Sequence, residues 1–405
     1  MNRVIVALEH HFDRTPDNSI WTQTQFPYNF WRRYLDVFNE VRVVARVRNV
    51  PTKGEDWQRA DGEGVKFAAV PDYLGPFQYL LRSREVQSVA KNVVKPQDFI
   101  ILRLGSQIAS CILPKLYRTG HPYGVEVVGD PFDVFSPGAV RHPLRPFFRY
   151  WSAYQLRYQC ARACAVAYVT EYALQRRYPS RLNAFATYYS DVELTDSAII
   201  SIPRVFKYER NLFSLISVGM FGQLYKAPDV LIDAVALCIS NGLNLKLVLV
   251  GDGTYRAELE TRAARLGLGE RVLFRGQLST QGAVRAELDQ ADLFVLPSRT
   301  EGLPRAMIEA MARGLPCIGS TVGGIPELLP PEDLVPPGDV HALADKIRAI
   351  VTNPQRMEKM AAHNLAKSHQ YRGEELKLRR INFYRYVYEQ TKVWFEKQAL
   401  QELPF

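Results

Sequence analysis

Cysteine is scarce in this chain, with five residues in 405 and no Cys-x-x-Cys pair. Cys111, Cys160, Cys164, Cys238 and Cys317 form no clustered, even framework. That excludes a disulfide-stapled scaffold and points to a reducing compartment. Cys160 and Cys164 lie four apart and are expected on one helix face as packed thiols. Long apolar runs are also missing: no stretch of about 18 apolar residues occurs, so no segment is expected to span a membrane. The opening MNRVIVALEHHF is broken by Glu9 and reads as a first buried strand rather than a signal peptide, which makes a cytoplasmic location the expectation. In VGDGTYR, Gly251 and Gly253 are followed by Arg256 where a dinucleotide fingerprint has its third glycine. An NAD enzyme is therefore poorly supported.

What is present is an ordinary globular composition, 47% hydrophobic and 23% charged, in a chain long enough for two domains. The net charge of +9 favours an anionic partner: a phosphate-bearing substrate, nucleic acid or an anionic lipid surface. Short β-branched runs alternate with segments of helical period, the signature of parallel α/β architecture. Strands are expected at 3–8, 41–47, 98–104, 123–129 and 165–170, with helices at 27–39 and 78–93. After a break around 200–214, strands are expected at 214–219, 244–250, 271–275, 292–297 and 315–319. Helices are expected at 227–240, 254–266, 279–290, 304–313 and 339–352. The pattern predicts two doubly wound domains facing across a cleft, with ligands at the carboxyl ends of the strands. They divide as a first domain at 1–205 and a second at 206–373. The remainder, 374–405, contains a Tyr- and Phe-rich helix expected to return to the first domain.

The most informative stretch is LFVLPSRTEGLPRAMIEAMARGLPCIGSTVGGIPELL, residues 293–329. A strand ends in a loop carrying Glu301 and Gly302, and Pro304 then fits the first turn of a helix. The free N–H groups and dipole of that helix start make an anion site. Gly302 lets the backbone come close to a ligand, and Glu309 lies further along the helix. A diphosphate at the helix start, with one glutamate on sugar hydroxyls and the other on ribose hydroxyls, suits a nucleotide-sugar. A lone glutamate pair at this spacing also fits an amphipathic helix whose acids are merely solvated.

Residues 215–330 closely resemble the nucleotide-binding half of family 4 (group 1) retaining glycosyltransferases of the GT-B fold. The matching segments are ISVGMFGQLYKAPDVLIDA (216–234), KLVLVGDGTYRAELE (246–260), VLFRGQL (272–278), the Glu301/Glu309 pair and GSTVGGIPELL (319–329), in order. The resemblance implies transfer of a sugar from a nucleotide-diphosphate sugar to a saccharide or lipid-linked acceptor, in polysaccharide or glycoconjugate biosynthesis. It implies no cofactor and no metal. No Asp-x-Asp pair is present, since Asp130 and Asp133 are separated by two residues. Carried over, Lys226 neutralises the leaving diphosphate, Glu301 orients the sugar and Glu309 the ribose. Amides near Gly302, Leu303, Arg305 and Ala306 touch sugar and phosphates, Gly219 lies in the phosphate loop, and Gln277 and Leu278 meet the base. Met220 stands where many members have arginine, which leaves Arg305 or Arg299 to share the phosphate charge. A non-catalytic nucleotide-sugar sensor and a GT-B epimerase are the alternatives; the pyridoxal-lysine motif of a phosphorylase is not found.

The first half resembles known families much less. The loop EHHFDRTPDN (9–18) is expected to face the cleft, where His10, His11 and Asp13 either contact sugar or acceptor or are simply exposed. Asp130 either stands near the acceptor hydroxyl as a catalytic group or caps a loop with Pro131. Arg103 meets a phosphate or pairs with an acid. Between 141 and 181, Arg141, Arg145, Arg149, Arg157, Arg162, Arg176, Arg177 and Arg181 stand against one acid, Glu171. Phe147, Trp151, Tyr154 and Tyr158 share a helix face there. Either these aromatics are core and the arginines solvated, or the helix lies on an anionic membrane. No nucleic-acid-binding motif accompanies the charge.

Overall fold

The computed structural model describes residues 2–140, 142–192, 194–206, 211–278 and 280–401. Thus Arg141 of the basic segment and residues 207–210 of the break lie outside the described residues. Two sheets organise the chain. The first contains β1 (Arg3–Arg14), β2 (Ile20–Thr22), β3 (Glu40–Asn49), β4 (Gln58–Arg59), β5 (Val65–Pro71), β6 (Phe99–Leu104), β7 (Gly124–Val127), β8 (Ala165–Tyr168) and β9 (Phe185–Tyr188). Its long parallel part runs β5-β3-β1-β6-β7-β8-β9, with β2 paired antiparallel to the end of β1 and β4 antiparallel to β2. The second contains β10 (Phe213–Val218), β11 (Leu245–Val250), β12 (Val272–Gly276), β13 (Leu293–Leu296), β14 (Cys317–Ser320) and β15 (Leu334–Val335). Its order is β12-β11-β10-β13-β14-β15, all parallel.

The helices that cover the first sheet are α1 (Tyr28–Arg32), α2 (Gly75–Val93), α3 (Gln107–Thr119), α4 (Pro131–Val134), α5 (Arg145–Arg162) and α6 (Ala173–Arg177). Those following in the second half are α7 (Pro228–Ser240), α8 (Arg256–Arg265), α9 (Gln281–Gln290), α10 (Arg305–Ala312), α11 (Ile325–Leu328), α12 (Val340–Val351), α13 (Pro354–Ser368) and α14 (Gly373–Gln401). Strands β6, β7, β8 and β13 are buried along their whole length, as near-continuous apolar runs between two helix layers must be. No described helix is long and apolar enough to cross a membrane.

Three expectations need correction. Residues 9–14 are not a loop: β1 continues to Arg14, pairing His11–Arg14 with Arg46–Asn49 after a register shift between Ala7 and His11. The extra residues of that bulge re-aim the strand without ending it. The helix expected at 27–39 stops at Arg32, because Tyr34, Leu35 and Val37 bond back three residues and the tightened turn carries Trp31, Tyr34 and Phe38 into the core. Cys164 is not on the helix of Cys160. It follows the end of α5, and its thiol donates to the Tyr123 carbonyl at 3.2 Å.

The terminal helix α14 packs against β6, β7, β8 and β9, on the first sheet. A buried polar cluster fastens it there. Glu126 of β7 accepts hydrogen bonds from Tyr34 (2.9 Å), Arg103 (2.6 Å), Tyr189 (2.7 Å) and Tyr384 of α14 (3.4 Å). Arg103 also donates to Asp191 at 2.6 Å, as does Arg33 at 2.9 Å. Burial pushes the Asp191 carboxyl up, but Arg103 and Arg33 outweigh it and hold the group below the usual range. Arg103 is therefore the acid-paired residue of the two readings. Arg103→Met leaves the buried Glu126 with tyrosine donors alone and Asp191 with Arg33 as its cation, and a loss of about 3 kcal/mol is expected in denaturant unfolding; a loss below about 1 kcal/mol would contradict a stabilising role for this cluster.

Candidate functional site

The second sheet ends in three laced loops. Gly219 N–H donates to the Val250 carbonyl (2.9 Å), Phe221 N–H to Asp252 (2.8 Å), and Gly251 N–H to Gly276 (2.8 Å). Gly251 and Gly253 have φ of 144° and 150°, and a Cβ at either would stand 1.9 Å from the Gly219 oxygen or 2.3 Å from the Gly222 nitrogen. The glycines of VGDG thus serve loop-on-loop packing. A Cβ at Gly219 would meet the Lys226 side chain at 2.7 Å, so Gly219 makes room for the lysine stem. Lys226 ends a short 3₁₀ turn, and the buried Ala227 after it holds left-handed backbone, φ 50°. Such strain in a non-glycine residue persists only where the surroundings fix it.

Lys226 Nζ donates to Glu301 Oε1 at 2.5 Å. The same oxygen accepts from Ser298 Oγ at 2.7 Å, and the Ser298 carbonyl in turn accepts from Ser320 Oγ at 2.6 Å. Glu301 is 7% exposed, so cation and carboxylate are set before any ligand arrives. Ser298 and Ser320 were not identified from the sequence; small hydroxyls at strand ends carry no signal until β13 and β14 are known to be neighbours.

Helix α10 begins at Arg305, with Pro304 at the cap position rather than in the first turn, and no side chain caps it. Its first amides, at Arg305 and Ala306, are open to an anion. Glu309 lies four residues on, about 6 Å along the axis at 1.5 Å per residue. It shares a small recess with Leu194, Ala198, Gln281 and Arg285. Burial pushes its carboxyl above the ordinary glutamate range, partly opposed by Arg305 and Arg285. The reading of a merely solvated acid does not describe this glutamate.

Gly302 has a different reason from the expected one. A Cβ there would stand 2.4 Å from the Val128 carbonyl of the first sheet's β7 edge. The close approach is to the other half of the protein. Gly323 and Gly324 press on the same loop, with Gly324 N–H donating to the Gly302 carbonyl at 2.7 Å. Next to them, Glu327 accepts from the amides of Glu171, Tyr172 and Ala173 at 2.6–2.9 Å, a second tie between the halves. Gly302→Ala is expected to shift this loop and to cut activity more than stability; unchanged turnover in a folded variant would contradict that packing role.

Other expected site residues separate. Gln277 donates from Nε2 to the Gln23 carbonyl at 3.2 Å, and Leu278 packs against the core beside it. Leu303 is buried under Gly324. Arg299 forms a two-pronged bond to Asp229, 2.7 Å each, and so secures the turn before α7 rather than facing phosphate. Arg305 is exposed at the helix start, with Asp191 of the first half in its electrostatic reach. Met220 is 44% exposed. Asp130 takes the capping role of its two readings. It accepts from the Phe132 amide at 2.9 Å and pairs with Tyr178 and Arg177, at 4% exposure. His10 bonds Thr22 at 3.2 Å and burial lowers its pKa to about 4; His11 pairs with Asp72 at 2.6 Å. Asp13 is buried and accepts from Gln23 and Arg48, both at 2.8 Å.

Two doubly wound sheets joined by a returning helix, with the paired carboxylate and lysine at the carboxyl edge of the second, define the GT-B class of glycosyltransferase. The structure of Anabaena HepE in complex with UDP and glucose shares this fold, with a TM-score of 0.61, 16% identity and coverage of 97% of this chain and 99% of that one. Residues 205–366 match the glycosyl transferases group 1 family. Protein CapJ of Staphylococcus aureus is 27% identical over 364 residues, 88% of each chain. The amylovoran biosynthesis glycosyltransferase AmsK of Erwinia amylovora is 38% identical over 128 residues, 29% of this chain and 31% of that relative.

Proposed function

We propose that this glycosyltransferase moves a hexose to a saccharide or lipid-linked acceptor in polysaccharide assembly, and that it acts at an anionic membrane surface. The observation that carries the donor site is the Lys226–Glu301 pair beside the uncapped start of α10, with Glu309 one turn further in. The diphosphate rests on the amides of Arg305 and Ala306, with Lys226 and Arg305 offsetting its charge. Glu301 then accepts from sugar hydroxyls, Glu309 from the ribose, and the backbone at Gln277 and Leu278 faces the base. In the transfer, the acceptor oxygen forms its bond to the anomeric carbon on the face from which the diphosphate departs. The bond to the diphosphate oxygen breaks, and the acceptor proton passes to that phosphate. Lys226 stabilises the charge that grows there. The domain division is proposed at 1–205, 206–373 and 374–405, and AmsK's printed role supports the polysaccharide setting.

Membrane contact rests on α5. Phe147, Trp151, Tyr154 and Tyr158 are 59%, 50%, 64% and 41% exposed, so the reading of these aromatics as core is overturned. Phe147 and Trp151 stack at 6.0 Å, and the helix carries four arginines and no acid. Aromatic rings beside guanidinium groups suit the interface of an anionic bilayer. The test is incorporation of label from a sugar-labelled nucleotide-sugar into a lipid extract. Label in the extract, reduced for Trp151→Ser with Tyr154→Ser, is expected; label only as free sugar would overturn the transferase reading.

A further inference from the structure

A cavity of about 540 Å³, lined by none of the donor-site residues, lies between the carboxyl ends of β1, β3 and β5 and α2. That volume is in the range of small-molecule sites. Arg14, Arg48, Arg82, Asn49 and Gln78 line it, with Asp72 as its carboxylate, already held by His11 at 2.6 Å. Arg48 pairs with Asp13 at 2.8 Å. Arg14 instead donates to the neutral Asn49 at 2.9 Å, and Arg82 to the Asp72 backbone carbonyl at 2.8 Å. Among the described residues these two guanidinium groups have no carboxylate within 4.0 Å. Two such charges lining one concavity suit an anionic group.

The same helix supplies an apolar surface. Phe77, Leu80 and Leu81 of α2 are 72%, 68% and 72% exposed, and Leu74 before it 65%. Phe77 and Leu81 are one turn apart on a strip directly beside the strip of Gln78 and Arg82. Large apolar groups left open next to a charged concavity mark a binding surface.

We propose that this cavity binds the phosphate group of an amphiphilic acceptor and that the exposed strip of α2 takes its hydrocarbon chain. That the ligand is an acceptor rests on the transferase reading; its binding does not. The hydrogen-bonded run Gln277–Gln23–Asp13–Arg48 connects the cavity rim to the donor half, which puts an acceptor anchored there next to the cleft.

The test is calorimetric titration of the full chain with dodecyl phosphate below its micelle concentration, inorganic phosphate, and the uncharged dodecyl maltoside. Wild type is expected to bind dodecyl phosphate at least about ten-fold more tightly than either control, because each control lacks one half of the ligand. Arg14→Gln with Arg82→Gln should weaken dodecyl phosphate at least about ten-fold, since charge-assisted bonds are lost. Phe77→Ser with Leu81→Ser should reduce it to the level of inorganic phosphate, and Lys226→Ala should leave it unchanged. Equal binding by wild type and the arginine variant, or loss of binding in Lys226→Ala, would overturn the proposal. Equal affinity for inorganic and dodecyl phosphate would do so too, since a free phosphate would then suffice. Nucleotide binding is read on the same proteins. Its absence throughout, with arginine-dependent dodecyl phosphate binding intact, sinks the donor-site reading and supports the cavity.

Discussion

Lys226→Ala is expected to lower kcat about 10²–10³-fold while the KM for the nucleotide-sugar changes much less. Removal of one preorganised donor to a developing oxyanion costs that much in known cases. In the proposed mechanism the lysine meets charge that grows as the diphosphate leaves, so its contribution is expected to be larger in the transition state than in the bound donor. In the ligand-free protein it is spent on Glu301 at 2.5 Å. On the proposed reading, the arriving diphosphate draws the ammonium partly away from the carboxylate, which frees Glu301 for sugar hydroxyls. The variant leaves that carboxylate with Ser298 as its remaining partner, so thermal unfolding should be measured beside kinetics. A variant of native stability with kcat within about three-fold of wild type would remove Lys226 from the chemistry; that margin is about 0.7 kcal/mol.

Glu309 gives the second large effect. Glu309→Ala is expected to weaken nucleotide binding by about ten-fold to a hundred-fold, the worth of one to two charge-assisted hydrogen bonds to vicinal hydroxyls. Because burial raises its carboxyl, two pH dependences of opposite sign follow. The folded protein holds this proton more tightly than the unfolded chain does. The group's contribution to stability is therefore full below the unfolded pKa and is lost as pH rises through the higher folded value. Nucleotide affinity runs the other way. It rises over the same window, above the ordinary glutamate range, as the carboxylate becomes the better acceptor. Titrating affinity against pH should show that rise in wild type and a flat profile in Glu309→Gln. A flat wild-type profile would mean that Glu309 does not meet the ribose.

The donor half was legible in the sequence because its constraints are local. A parallel strand, a turn and a helix recur in short order, and each expected element from 214 onward appears within a few residues of its place. Glu301, Lys226 and Glu309 came from a motif, and two of them meet in space. What stayed hidden depends on neighbours distant in the chain. Gly302 looked like a ligand-facing glycine, yet its reason is Val128. Arg299 looked like a phosphate cation until Asp229 came beside it. Asp130 offered two roles, and only Tyr178 and Arg177, some fifty residues on, decide between them. The aromatic face of α5 could not be sorted into core or surface by period alone, because amphipathic spacing says which residues share a face and not what that face meets. Strand β1 ran through an expected loop because its partner β3 continues with it past a bulge.

The most direct measurement is a thermal-shift screen of nucleoside diphosphates and nucleotide-sugars on wild type and Glu309→Ala. Stabilisation by one nucleotide base is expected for wild type, on the order of 2.7 kcal/mol at a hundred times Kd, and its loss or sharp reduction in the variant. No shift with any nucleotide, on protein that unfolds cooperatively, would contradict a donor site built on Lys226, Glu301 and Glu309.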